Sequence, residues 1–300
     1  MTEPSPRTAE PSRSAILVAQ ARALARGRLL PGRFDDPVAE RLLDADERAA
    51  VERARCDQPP ASFAERLPWE MLRATAEHMA VRTVAVDDAV LAAGHPQVVL
   101  LGAGLDARAW RLSASTDATF FEVDRPASQA GKRRRVEAAV PPLPQGRPRY
   151  VAVDLATTPL APALTGAGFD PQLSTTWVWE GVVMYLTPTQ VADTVAQLAS
   201  LSSPGSLVVV HYTARSLLAR VGRMLYRRAA RQTGADPFAQ EPNRSAWRLA
   251  RLEALLAAHG FEATSDRSLL NLAADLGLAP TRPGSLRAAR LLLATRVRTR

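Results

Sequence analysis

Gln97-Val98-Val99-Leu100-Leu101-Gly102-Ala103-Gly104-Leu105-Asp106-Ala107 is the stretch on which the reading of the fold turns. Residues 97–102 form a short, apolar, β-branched run ending in glycine, the pattern of a strand buried on both faces of a parallel sheet. Gly102 and Gly104 then let the backbone turn sharply and approach a ligand, just before helical sequence at 106–112. Asp124 stands 20 residues past Gly104, at the end of a second strand over 119–124. An acid there can accept both hydroxyl hydrogens of a ribose. Taken singly, these are a turn glycine and a helix-capping aspartate. Together, at that spacing, they indicate an adenosine-containing cofactor.

Outward from this point strands and helices alternate. A helix is expected over 126–139, strands over 150–154 and 175–180, and a helix over 188–201. The Pro204-Gly205 turn opens a fifth strand at 206–212; a helix at 246–259 and strands at 261–267 and 288–298 complete the chain. The alternation predicts a doubly wound α/β domain of the Rossmann-like kind, with a mostly parallel seven-stranded sheet covered on both faces. Upstream, 14–28 reads as a helix broken by Pro31 and Gly32. A second helix is expected after Asp36-Pro37, where aspartate can cap and proline can occupy the first turn. Helical sequence continues over 63–93. The organisation expected is a mobile tail at 1–13, a helical extension or cap at 14–95, and the α/β domain at 96–300.

An insertion interrupts that domain at about 213–245. It places Leu217, Val221, Met224 and Leu225 on one helical face, and Arg220, Arg223, Arg227 and Arg231 on another. It reads either as a surface helix with a solvated basic face or as a lid over a substrate pocket.

Composition narrows the function classes. Of 300 residues, 47% are apolar and 23% charged, as in a folded soluble protein rather than a coiled coil or disordered chain. No apolar run approaches the roughly 20 residues of a membrane span. The single Cys56 cannot form an internal disulfide, which suits a reducing cytoplasm. A net charge of +8 invites a nucleic-acid reading, yet only Lys132 is a lysine and the arginines are spread throughout. No zinc-finger or RNP-type pattern accompanies them, so nucleic acid is not an expected partner. No histidines or cysteines pair at metal-ligand spacing, and no G-x-S-x-G elbow suggests a hydrolase.

Both NAD and S-adenosylmethionine contain adenosine. Asp154-Leu155 ends the third strand, where an adenine amino group can be met. The fourth strand runs into Trp177-Val178-Trp179-Glu180-Gly181-Val182-Val183-Met184-Tyr185-Leu186 at the ligand-binding edge of the sheet. An acid and aromatics there suit a cationic sulfonium. Alternation puts both tryptophans on one face, so at least one belongs to the core. His211 and Tyr212, at the end of strand five, are candidates for a base or a hydrogen bond to an acceptor, with Tyr185 a candidate substrate contact. His78, His95 and His259 have no partner spacing.

These residues also carry a resemblance. VVLLGAGLDARAWRL, FFEVDRPASQAGKRRR, VAVDL and WVWEGVVMYLTP, with SAILVAQARALARGR, FDDPVAERLL and Val81-Arg82-Thr83 upstream, resemble the leucine carboxyl methyltransferase-like family of class I S-adenosylmethionine-dependent methyltransferases. The likeness extends to its bacterial branch similar to the O-methyltransferases of aromatic polyketide biosynthesis, and covers most of the chain. It implies that Arg82 holds the cofactor's carboxylate, as a forked donor suits. It further implies that Gly102 lines the methionine part, with Gly104 also in the cofactor-binding loop, that Asp124 binds the ribose, that Asp154 and Leu155 flank the adenine, and that Glu180 lies beside the cofactor. One departure is that the family's R-T-R/K-x-x-D here reads Arg82-Thr83-Val84-Ala85-Val86-Asp87.

The implied reaction is direct methyl transfer to oxygen, which needs alignment and a water-poor pocket. A carboxylate acceptor needs no base; a hydroxyl does. A small natural product is the expected acceptor, free or on an acidic carrier protein. Two other readings stay open: an NAD-dependent oxidoreductase, and a protein that binds S-adenosylmethionine without catalysis.

Overall fold

The computed structural model describes residues 10–56, 58–143, 148–214 and 244–298. Seven strands, β1 (Gln97–Leu101), β2 (Thr119–Asp124), β3 (Arg149–Ala152), β4 (Thr175–Trp179), β5 (Leu207–Thr213), β6 (Phe261–Ser268) and β7 (Ala289–Arg296), form one sheet. Their order is β3-β2-β1-β4-β5-β7-β6. β1 pairs in parallel with β2 on one side and β4 on the other, so the chain reverses its direction of winding at β1. Crevices at such a reversal are where open α/β sheets take ligands. Every residue of β1 and β4 is buried, which is why neither strand shows polar alternation.

The sheet is mixed rather than uniformly parallel. β7 runs antiparallel to both β5 and β6. The reason lies in the β6–β7 connection, which carries the short helices α9 (Leu269–Asp275) and α10 (Pro283–Ala288). These remain at the carboxyl end of the sheet, so the chain re-enters from the end it left instead of crossing a face.

Two buried clusters cover the faces. On one, Val98, Leu100, Phe120, Val178 and Val209 meet α1 (Arg13–Ala25), α2 (Ala45–Arg55), α3 (Phe63–Ala93) and α4 (Arg108–Arg111). On the other, Val99, Leu101, Trp177, Trp179, Val208 and Val210 meet α6 (Leu160–Gly166), α7 (Pro188–Ser200) and α8 (Leu249–Ala258). In β1, β2, β4, β5 and β7 odd and even positions divide cleanly between them, as a pleat requires. Helices α1 to α3 therefore share a core with the sheet, and α5 (Pro126–Glu137) follows β2.

Several local expectations change. The element after Asp36-Pro37 is one 3-10 turn, Ala39–Leu42; Asp36 accepts from the Val38 and Ala39 amides at 3.2 and 2.9 Å. The helix proper begins after Asp44, which forms a capping box with Glu47. Strand three ends at Ala152, before Asp154, and α4 is one turn long. Helices α6, α9 and α10 had no counterpart in the sequence reading. The amphipathic segment bearing Arg220, Arg223, Arg227 and Arg231 lies outside the described residues, as does the tail over 1–9.

Candidate active site

A cavity of about 1420 Å³ opens at the carboxyl ends of β1, β2, β4 and β5. Arg82, Gly102, Gly104, Asp124, Asp154, Leu155, Glu180, Tyr185 and His211 all line it. Tyr212 does not. Strand alternation turns its ring to the opposite face, where its hydroxyl donates to Asp266 Oδ1 at 3.0 Å and its acidity is suppressed by burial. The two tryptophans also face away. Trp177 and Trp179 are fully buried in the core, Trp177 Nε1 donating to Ser202 Oγ at 2.9 Å, so Tyr185 is the aromatic from this segment that meets the cavity.

The glycine loop is held closely. Gly102 has φ +68°, its amide donates to Val123 O at 2.8 Å, and a Cβ there would come within 2.4 Å of Val182 Cγ2. Both the left-handed backbone and the space demand glycine. Gly104 has φ +51° and donates its amide to Asp124 Oδ2 at 2.6 Å. Asp124 thus clamps the loop after β1 to the end of β2, while its Oδ1 accepts the Arg125 amide at 2.7 Å. Burial raises the Asp124 carboxyl above its ordinary value. Asp154 holds its own turn, Oδ1 accepting from the Ala156 amide at 2.9 Å.

Beneath the loop lies a buried charge cluster. Glu180 Oε1 accepts from Arg82 Nε at 2.7 Å and from Arg22 Nη2 at 3.0 Å; Arg108 Nη1 is 2.6 Å from Oε2. Burial alone would lift the Glu180 carboxyl, but Arg108, Arg82 and Arg22 outweigh it and hold it well below the usual range. Arg108 Nε also donates to Asp87 Oδ1 at 2.8 Å and its guanidinium pairs with Asp106. Arg82 spends only Nε on Glu180. Its terminal nitrogens make no hydrogen bond with described residues and lie towards Gly181 at the cavity wall.

The sequence reading missed Arg22, Asp106 and Arg108. Arg22 did carry a signal, being an arginine buried amid Ala19, Ala21, Ala23 and Ala25 on α1. A long charged side chain among residues that small needs a partner. It also missed the far wall, where Arg282, Ser285, Arg287 and Ala288 of the β6–β7 connection reach the cavity.

Among the described residues no helix is long and apolar enough to cross a membrane, and no group of three or more His, Cys, Asp or Glu could hold a metal ion.

The family model for leucine carboxyl methyltransferase matches residues 15–199. A protein of Mycolicibacterium smegmatis, provisionally named an S-adenosyl-L-methionine-dependent methyltransferase, is 39% identical over 200 residues, which are 66% of this chain and 65% of that one. The chain thus spans just under two thirds of that relative's length. A Streptomyces coelicolor protein of the same provisional name is 36% identical over 241 residues, 76% of each chain. The fold is similar to a crystal structure from Thermobifida fusca, provisionally described as a methyltransferase (TM-score 0.59, 16% identity, covering 99% and 100% of the two chains). It is also similar to one from Streptomyces avermitilis (TM-score 0.57, 16% identity, covering 96% and 98%).

Proposed function

The chain belongs to the leucine carboxyl methyltransferase family, and from that premise we propose that it uses S-adenosylmethionine to methylate an oxygen, carboxyl or hydroxyl, of a small acceptor of the polyketide type. The observation that carries this reading is that Arg82, Gly102, Asp124, Asp154 and Glu180 converge on one cavity, although they come from α3 and the ends of four strands.

The residues fit the cofactor piece by piece. Asp124, held by two backbone amides, retains lone pairs on both oxygens for ribose hydroxyls. Leu155 offers an apolar edge to adenine beside Asp154. Gly102 lines the cavity in a left-handed conformation where a Cβ would strike Val182, so glycine keeps the loop's backbone in place at the cofactor. The outer edge of Arg82 is free to grip a carboxylate, its inner edge being braced by Glu180. Bound there, S-adenosylmethionine supplies an electrophilic methyl on a positively charged sulfur. Glu180 keeps a negative charge in that neighbourhood at all ordinary pH values, because three guanidiniums hold it ionised. The chain's part is to align the partners and exclude water.

At about 1420 Å³ the cavity exceeds the ~300–1,000 Å³ of a single small-ligand site, which leaves room for an acceptor beside the cofactor. Leu67, Met71, Ala74 and Met79 of α3 give that remaining space an apolar wall, as a polyketide-type ring system would need. An NAD-dependent oxidoreductase would share the glycine loop and Asp124 but leaves the Arg82–Glu180 pair without a role.

Calorimetric titration with S-adenosylmethionine, S-adenosylhomocysteine and NAD tests the reading. Micromolar binding of the first two is expected, weakened about 100-fold or more in Asp124→Ala, since two hydrogen bonds to a charged acceptor are lost. Binding of NAD instead would reverse the conclusion.

A further inference from the structure

His78 and His211 meet edge to face with ring centroids 5.6 Å apart and planes at 80°, and both line the cavity. His211 is 2% exposed, yet neither of its ring nitrogens has a hydrogen-bond partner; nor has the buried Nε2 of His78. Buried polar atoms are rarely left this way. Three such atoms at one wall point to a ligand that supplies what the protein does not.

Their position says which ligand. Leu67, Met71, Ala74, His78 and Arg82 recur at helical spacing along the cavity face of α3, over roughly 22 Å at 1.5 Å per residue. Arg82 marks the cofactor end. His78 lies one turn away, where cofactor gives way to acceptor, and the apolar residues continue outward.

Resting on the methyltransferase reading above, we propose that His78 and His211 seat the acceptor's nucleophilic oxygen, and that they select a hydroxyl rather than a carboxylate. The charged groups facing the pair are Arg82 and Glu180. Burial first, and Arg82 second, keep both rings neutral: His78 falls to about 3 and His211 well below its ordinary value. Neutral imidazoles offer one donor and one acceptor each, matching a hydroxyl, which both gives and receives a hydrogen bond. A carboxylate seated at the two rings would instead lie beside the negative Glu180, whose own guanidiniums are engaged, while the cavity's other arginines, Arg125, Arg244, Arg282 and Arg287, are not among the charges that bear on the rings. Arg22 and Arg108 are already paired with Glu180 and Asp106, and the outer edge of Arg82 is committed to the cofactor.

In the transfer, the hydroxyl oxygen forms its bond to the methyl as the sulfur–methyl bond breaks, its electron pair remaining on sulfur. The hydroxyl proton passes to an unprotonated imidazole nitrogen and then to water. One positive charge leaves the sulfur as one appears on the ring, so the cavity's net charge is unchanged during the step. Glu180 favours the imidazolium that Arg82 opposes.

The test uses ¹⁵N-histidine-labelled protein saturated with S-adenosylhomocysteine and two matched probes, 2-naphthol and 2-naphthoate. 2-Naphthol should shift the ring signals of His78 and His211 and leave His95 and His259 unmoved. 2-Naphthoate should bind about tenfold more weakly or worse. His78→Asn and His211→Asn should each weaken 2-naphthol binding about tenfold while S-adenosylhomocysteine affinity stays within about twofold. Equal or tighter binding of 2-naphthoate, or unmoved rings in the wild-type protein at millimolar 2-naphthol, overturns the proposal while the cofactor reading stands. If S-adenosylhomocysteine itself fails to bind the wild-type protein, the methyltransferase reading falls and the proposal with it.

Discussion

At Gly102 and Glu180 single residues decide the site. Gly102→Ala forces an alanine into left-handed backbone, at a cost of about 1–2 kcal/mol, and drives its Cβ into Val182. Thermal unfolding should therefore show a loss that Val182→Ala, combined with it, recovers only in part, because the second change removes the clash and not the strain. Full recovery would mean that the backbone conformation is unimportant. Glu180→Gln removes the carboxylate partner of Arg82 and leaves Arg22 and Arg108 with only Asp106 and Asp87. Removing one member of a buried ion cluster costs roughly 3–5 kcal/mol. A lowered melting temperature together with weaker cofactor binding is expected; unchanged values of both would show that Glu180 braces nothing. The family pattern around Arg82 belongs to the same scale. Val84 stands where a basic residue is usual, and Asp87 is met instead by Arg108 and Arg111 from α4.

Among the elements, β2 and α5 are joined by Lys132, the chain's single lysine. Its Nζ donates to Glu122 Oε2 at 2.6 Å and to the Asp106 carbonyl at 2.5 Å, so α5 holds the far side of the glycine loop. Burial lifts the Glu122 carboxyl to about 7 in spite of that ammonium. Lys132→Met should destabilise strongly by stranding a buried carboxyl, whereas Lys132→Met with Glu122→Gln should cost clearly less than the two single changes added together. Additive losses in chemical denaturation would contradict a coupled pair. In α7, Thr187 and Gln190 form a capping box, so Thr187→Ala should cost about 1 kcal/mol without altering cofactor affinity, as the cap lies outside the cofactor contacts.

For the whole molecule, the titrating groups predict how stability follows pH. His78 and His211 have folded values below their unfolded ones, so the unfolded chain binds more protons between about 3 and 6.5 and stability is lost as pH falls through that window. Glu180, also depressed, adds to this loss below the ordinary carboxylate range. Glu122 works the other way: its raised value makes the folded chain bind the extra proton between about 4.5 and 7, so stability falls there as pH rises. Between pH 7 and 5 the lowered histidines, His95 among them, oppose the raised carboxyls of Glu122 and Asp124, and the histidines give a net loss on acidification. The melting temperature should therefore drop from pH 7 to pH 5, less steeply in His78→Asn, and more steeply in Glu122→Gln. The same slope in all three proteins would refute this assignment of the titrating groups.

The sequence by itself determined the strands, their glycine loop and the acid Asp124 at the end of β2, because these depend on local patterns: apolar runs, a glycine at a sharp turn, an acid at a strand end. The same locality shows residues 63–93 as one helix, capped by Ser62 and ended by Gly94 in left-handed backbone. Only the tertiary structure decided the direction of β7, since that depends on the route of a connection and not on the composition of the strand. It alone placed Tyr212 and the tryptophans on the far face, where a one-residue change of pleat separates His211 in the cavity from Tyr212 in the core. It alone assembled Arg22, Arg82, Arg108 and Glu180, which lie up to 158 residues apart along the chain. Buried charge requires partners, but the requirement says nothing of which distant residue will meet it; the packing of α1 and α3 against the sheet makes that choice.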